Sequence, residues 1–292
     1  MTAAALLALW AVLVTAALPP LLAGARWTRR SPVLGVVTWQ TLGLSAVLSV
    51  AMAIRQLVDP SPHHHAGLLH LCGLSPEAVS GTALTVAALT AARPAALLLA
   101  ALRTARRDRR RHRELLDLAA HRGRVPGGAL LLDHPTPAVY CLPGRHARIV
   151  VSRGALTALS PEQLAAALAH ERAHLSGRHH LAVCAAQALA GTFGRLPLGR
   201  LVCAEVRTLL EMAADDRALR RHSPRALATA MGVVAGASAP ATALTAGHQA
   251  LARIERLATG RRASRPALAL TAAAPAALLL LPLLLVCLPH LT

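Results

Sequence analysis

The stretch Ser160-Pro161-Glu162-Gln163-Leu164-Ala165-Ala166-Ala167-Leu168-Ala169-His170-Glu171-Arg172-Ala173-His174-Leu175-Ser176-Gly177 decides how the chain is read. Ser160 has the character of an N-cap, Pro161 of a first helical residue and Gln163 of a capping-box partner, while Gly177 suits the position just past a helix end. A helix from about Pro161 to Ser176 is therefore predicted. On it His170 and His174 stand at i and i+4, so both imidazoles can reach one metal ion, while Leu164, Leu168 and Leu175 pack elsewhere on the surface. Glu171 projects about one residue round from His170 and suits a general base acting on a water made acidic by that metal. A random chain with 15 His in 292 residues would show roughly 0.02 such matches. The plain alternative is a polar helix that happens to carry histidines.

Catalytic zinc takes three protein ligands and leaves a position open, so a third donor is expected. Glu211-Met212-Ala213-Ala214-Asp215 supplies it. The segment Leu201 to Arg221 reads as a helix whose apolar side comprises Leu201, Val202, Val206, Leu209, Leu210 and Met212. Glu211 and Asp215 then face the same way. Glu211 can bind the metal, and Asp215 can accept the second ring N–H of a ligating histidine. A surface pairing of Asp215 with Arg217 or Arg220 is the alternative at that position. Ala213 and Ala214 keep this helix slim enough to approach the first closely.

In these motifs the chain resembles membrane gluzincin peptidases, in which HExxH is followed on a later helix by E-x-x-A-D. It is similar to the BlaR/MecR-type peptidase family, particularly its short actinobacterial forms, and more distantly to peptidases of the HtpX and CAAX-protease type. The residues that carry the likeness are Ile149 to Gly154, Leu159 to Glu162, Ala169 to Leu175 and Glu211 to Arg217, with a weaker echo in Arg253-Ile254-Glu255-Arg256-Leu257. The likeness covers roughly 113–263 well, and the membrane segments in layout only. It implies one Zn2+ per chain, with His170, His174 and Glu211 as ligands and Glu171 as catalytic base. In the HtpX and CAAX-protease relatives a His-Pro precedes the final Arg-Ile pair; His248 sits nearby but is followed by Gln249, and is carried as a transition-state or substrate contact. Antibiotic-sensing members carry a penicillin-binding domain after the last membrane helix, and none is expected after Thr292. Members of the family cut cytosolic repressors or themselves after a signal, so the implied partner is a protein or peptide substrate such as a winged-helix repressor. Two other readings stay open: an HtpX-like quality-control peptidase, and a non-catalytic signalling scaffold with a structural zinc.

Hydrophobic residues make up 54% and charged residues 15% of the chain, a balance rare in a soluble enzyme of this size. Met1 to Ala23 carries no charge over a bilayer's width, and Val33 to Ile54 repeats that character. No Lys or Arg precedes the first run, which argues against a cleaved signal peptide. Gly81 to Leu102 is a third candidate, interrupted by Arg93-Pro94, and Pro266 to Leu288 is a fourth. Arg93 is read as a bundle-facing or snorkelling structural arginine. The organisation expected is thus spans at 1–24, 33–55, 81–103 and 266–288, an external loop at 56–80, and a peptidase domain at 104–265. Arg26, Arg29 and Arg30, the run from Arg103 to Arg113, and Arg261, Arg262 and Arg265 all flank spans on one side, which the positive-inside rule makes cytoplasmic. The fold class expected is a mainly α, multi-pass membrane protein of about four spans, with a small α+β gluzincin-type domain facing the cytosol between the third and fourth.

The net charge of +18 could suggest nucleic acid. Basic runs at membrane exits are better read as contacts with anionic lipid heads, and aromatics at 2% leave no base-stacking platform. Before the motif helix, a linker helix near His112 to His121 and short strands at Ala129 to Leu132, Ala138 to Leu142 and Ala147 to Ser152 are predicted, with Pro143-Gly144 as the turn between the last two. Such a hairpin could offer an edge strand to an extended peptide. Leu181 to Phe193 is apolar but too short to cross a bilayer. Cys72, Cys141, Cys184 and Cys203 form no CxxC pair and default to structural roles. The external cluster His63-His64-His65 and His70 is read as a solvated loop. His179-His180 lie beyond the helix stop and lack an i+4 partner.

Overall fold

The computed structural model describes residues 3–58, 76–121, 128–238, 253–257 and 265–287. The amino-terminal rod consists of helix α1 (Ala3–Val12), a π-helical segment (Leu13–Ala17) and helix α2 (Leu18–Gly24). The wider π turn falls just before Pro19-Pro20, neither of which can donate a backbone N–H to the preceding turn. A short α3 (Arg26–Arg30) leads into α4 (Pro32–Val58), and Trp10 Nε1 donates to Ser45 Oγ at 3.0 Å, pinning the rod to α4.

The third span and the linker helix merge into one 44-residue helix, α5 (Pro76–Ala119). This corrects the expected linker over His112 to His121: the arginine-rich run after Leu102 is made of good helix formers with no Gly or Pro, so nothing stops the helix there. Residues Ala120–His121 instead form strand β1. Among the described residues, three stretches are long and apolar enough to cross a membrane: Ala4–Gly24, Pro32–Gln56 and Leu84–Leu118. In place of a clear fourth span, α11 (Arg265–Cys287) contributes the shorter apolar segment Ala273–Leu285 among the described residues. Arg93 Nη2 donates to the carbonyl of Gly191 at 3.1 Å, so the charge inside the third span sits at the carboxyl end of a neighbouring helix, where the dipole favours a cation.

The sheet adds β2 (Leu130–Leu132), β3 (Val139–Leu142) and β4 (Arg148–Ser152) in the order β1-β2-β4-β3. β3 and β4 are an antiparallel hairpin, while β2 runs parallel to β4. Val150 and Val151, on the strand between β2 and β3, are fully buried on opposite faces. β3 is left at the sheet's edge, and helix α7 (Pro161–Ser176) packs against it. Ser152 ties the end of β4 to the Thr136–Ala138 segment and to the first turn of the next helix: its hydroxyl donates to Thr136 O (2.8 Å) and accepts from Ala138 N (2.8 Å) and Ala155 N (3.1 Å).

Helix α6 (Arg153–Ala158) precedes α7, and α8 (His179–Phe193), α9 (Pro197–Ala218) and α10 (Pro224–Ser238) come after it. α7 starts with both halves of the capping box, Ser160 Oγ accepting from Gln163 N and Gln163 Oε1 from Ser160 N. Its inner face, Leu164 and Leu168, meets Val151, Ala155 and Leu159. Full burial of a leucine such as Leu168 contributes about 1.5–3 kcal/mol. A second core forms where α9 lies on α4: Leu198, Val202, Val206 and Leu209 pack against Val36, Trp39 and Leu42. The helix that carries Glu211 is therefore docked on a membrane-capable helix, and the sheet-bearing region and the spans form one packed body.

The end of α7 differs from expectation. Gly177 keeps an ordinary helical φ of −77°. The left-handed residue is Arg178, at φ 50°. Gly177 is required for space: the ring of His179 lies across it, and a Cβ there would overlap Nε2 and Cδ2 of that ring.

Candidate metal centre

Helix α7 presents His170 and His174 on one face, with Nε2 of the two rings 3.1 Å apart. Helix α9 crosses this face and brings Glu211 to it, Oε2 lying 3.4 Å from His170 Nε2 and Oε1 3.4 Å from His174 Nε2. The three donor atoms all fall within 4.8 Å of one another. Two imidazoles and one carboxylate closing on a single point is the ligand set of His₂Glu zinc sites.

A further polar group stands behind each ring. His170 Nδ1 lies 3.0 Å from Asp215 Oδ1, and Asp215 is only 1% exposed. Asp215 is itself gripped by Arg253, whose Nε donates to Oδ2 at 2.8 Å and Nη2 to Oδ1 at 2.7 Å. Arg253 Nη1 also stands 2.9 Å from Glu211 Oε2. His174 Nδ1 lies 2.9 Å from His179 Nδ1. The turn at Gly177-Arg178 folds α8 back so that its first residue reaches the second histidine of the motif.

The electrostatics suit a cation. Burial pushes the His174 imidazole down to about 4, so it stays neutral at neutral pH. Burial also opposes charge on His170, yet the carboxylates of Asp215 and Glu211 raise it to about 9. Without a metal, the site draws a proton into the place where positive charge is favoured. Burial raises Glu211 as well, but the hydrogen bond to His170 and the Arg253 guanidinium bring it down to about 2. The residues present therefore fit a divalent ion by donor type, spacing and charge.

Glu171 sits beside these donors at the foot of β3. Burial raises its pKa, while the neighbouring His170 and Cys141 act in the opposite direction. The Cys141 thiol is raised in turn by its own burial and by Glu171. Two cavities flank the carboxylate. One, about 280 Å³, is walled by Val139, Leu227, Met231 and Ile254 and reaches His170 and Glu211. The other, about 430 Å³, lies beyond Tyr140 and Cys141 and carries Arg109 and Arg207 on its walls.

Of the residues singled out in the sequence, His170, Glu171, His174, Glu211 and Asp215 converge here. Asp215 pairs with Arg253 and not with the arginines of its own helix. His248 lies outside the described residues, as do His63, His64, His65, His70 and Cys72. Two site residues escape sequence reasoning. His179 lies past the helix stop, with no i+4 partner to mark it, and Arg253 stands only within a weak motif echo. The one advance signal for His179 is the Gly177 that precedes it.

Residues 105–245 match the family model described as peptidase family M48. No solved structure matches the chain. The donor set lies within the matched segment, so residues 105–245 are similar to peptidase family M48, a likeness that supports a zinc metallopeptidase.

Proposed function

We propose that this protein is a membrane-embedded zinc endopeptidase that cuts protein substrates at the cytosolic face. The carrying observation is the convergence of His170, His174 and Glu211 with Glu171 beside them, between two cavities along an edge strand. His170, His174 and Glu211 would hold the ion. When bound, zinc supplies Lewis acidity toward a scissile carbonyl and toward an attacking water. Glu171 takes the proton from that water and returns it to the leaving amine, a task for which its burial-raised basicity is suited. Asp215 and His179 fix the ring orientation and tautomer of His170 and His174, and Arg253 holds Asp215 and Glu211 in register.

An extended substrate pairs with the open edge of β3, running from the apolar cavity at Val139 past Glu171 to the basic cavity at Tyr140. The first cavity suits an aliphatic or aromatic side chain. The cytosolic assignment is supported by Arg256 Nε donating to Arg29 O at 2.9 Å, which joins the segment 253–257 to the basic turn between the first two spans. Regulated cleavage of a transcriptional repressor or signalling protein is the biological role the motif likeness favours.

Glu171→Gln tests the reading. The variant is expected to keep one zinc per chain and to lose cleavage of a reporter polypeptide by at least a hundredfold. Cleavage that survives this change would leave the site a structural one.

A further inference from the structure

A third cavity, about 620 Å³, opens between the first turn of α4, the α7–α8 turn and the carboxyl end of α9. Its two ends differ in chemistry. At one end stand Arg30, Arg217 and Arg220, all exposed, and none of the three forms an ion pair among the described residues. Asp216, the carboxylate nearest them in the chain, is engaged by Arg256 at 2.7 Å. At the other end Val33 and Val37 are 67% and 43% exposed, and with Leu44, 48% exposed, they follow the i, i+4, i+11 spacing of a single helix face. That apolar stripe runs down the span that begins at Pro32, so the cavity straddles the boundary between a basic rim and a lipid-facing surface.

We propose that this cavity seats one anionic phospholipid, its phosphate held by Arg30, Arg217 and Arg220 and an acyl chain lying along Val33, Val37 and Leu44. Arginine is suited to the task because its planar fork meets two phosphate oxygens at once. Three uncompensated positive charges disfavour a zwitterionic headgroup relative to an anionic one. A free phosphate or an acidic peptide would leave the valine stripe uncovered. Gly177 and His179 line the same cavity, so a bound headgroup lies against the residue that touches His174. The inference rests on α4 crossing the bilayer and is independent of the cleavage reaction.

The test uses the full chain, zinc-loaded and delipidated in neutral detergent, with lipid binding followed by native mass spectrometry. Phosphatidylglycerol is expected to bind at one equivalent, at least tenfold more tightly than phosphatidylcholine of the same chain length. Glycerol phosphate and an acidic peptide are expected not to compete. Changing Arg30, Arg217 and Arg220 together to Gln should weaken phosphatidylglycerol binding at least tenfold at unchanged zinc content, whereas Arg103, Arg106 and Arg107 changed to Gln should leave it intact. If the first triple variant loses zinc, Arg217→Gln and Arg220→Gln, each exposed near the end of α9, carry the comparison singly. Equal binding of the two lipids, equal loss in both triple variants, or displacement by glycerol phosphate or the peptide would overturn the proposal. A zinc content that stays at one through all of these would leave the peptidase reading untouched.

Discussion

Gly177→Ala makes a sharp test of how the metal site is supported. The glycine keeps helical backbone angles, so alanine brings no strain of its own, and by helix propensity it would be the better residue. The added methyl nevertheless falls on the imidazole of His179. The ring must turn away, and the 2.9 Å contact to His174 Nδ1 goes with it. Loss of such a supporting partner typically weakens metal affinity ten- to hundredfold, or about 1.4–2.8 kcal/mol. Zinc affinity is measured by competition with a chromophoric chelator in detergent, with circular dichroism to verify helix content. His179→Ala should lose a similar amount, and the double variant should lose little more than either alone, because both act through one contact. Wild-type affinity in Gly177→Ala, or fully additive losses in the double variant, would refute the idea that His179 supports the site.

Ser152→Ala removes a fully buried hydroxyl that serves three backbone groups. With two N–H donors left unpaired, the expected destabilisation is about 2–5 kcal/mol, read as a lowered thermal unfolding midpoint; a change below about 0.5 kcal/mol would contradict the role of this serine as a staple. Burial alone would raise Asp215, but Arg253 and His170 hold it down at about 2, below its usual 3.8. A carboxylate with a depressed folded-state pKa contributes stability that is complete above the unfolded value and disappears as pH falls through the folded one. The metal-free protein should therefore lose stability between about pH 4 and pH 2, and Arg253→Gln should flatten that slope; an unchanged slope in the variant would remove Arg253 as the cause.

How much of the molecule is legible in residue order depends on range. Ser160 and Gln163 mark the start of α7 because a capping box is a contact between residues three apart, and the three strands fall where β-branched and turn residues put them. Glu211 and Asp215 can be placed on one face because helical periodicity is local. The continuity of α5 is not legible in the same way, since Arg93-Pro94 has the look of a disruption. Pro94 in fact stays inside the helix, and Arg93 finds the carbonyl of Gly191 on α8.

The partners of the histidines are equally hidden. His179 reaches His174 through a left-handed Arg178 that no residue preference announces, and Arg253 joins Asp215 and Glu211 from 38 and 42 positions further along the chain. Likewise, the parallel pairing of β2 with β4 and the seating of α9 on α4 follow from which apolar faces bury each other. Short-range hydrogen bonding and side-chain periodicity act between neighbours and are therefore written in residue order, down to the two histidines, the glutamate between them and the acidic pair on the later helix. Which buried charge meets which ring is decided only when distant elements pack, because burial leaves each polar group to find whatever partner the completed fold brings within reach.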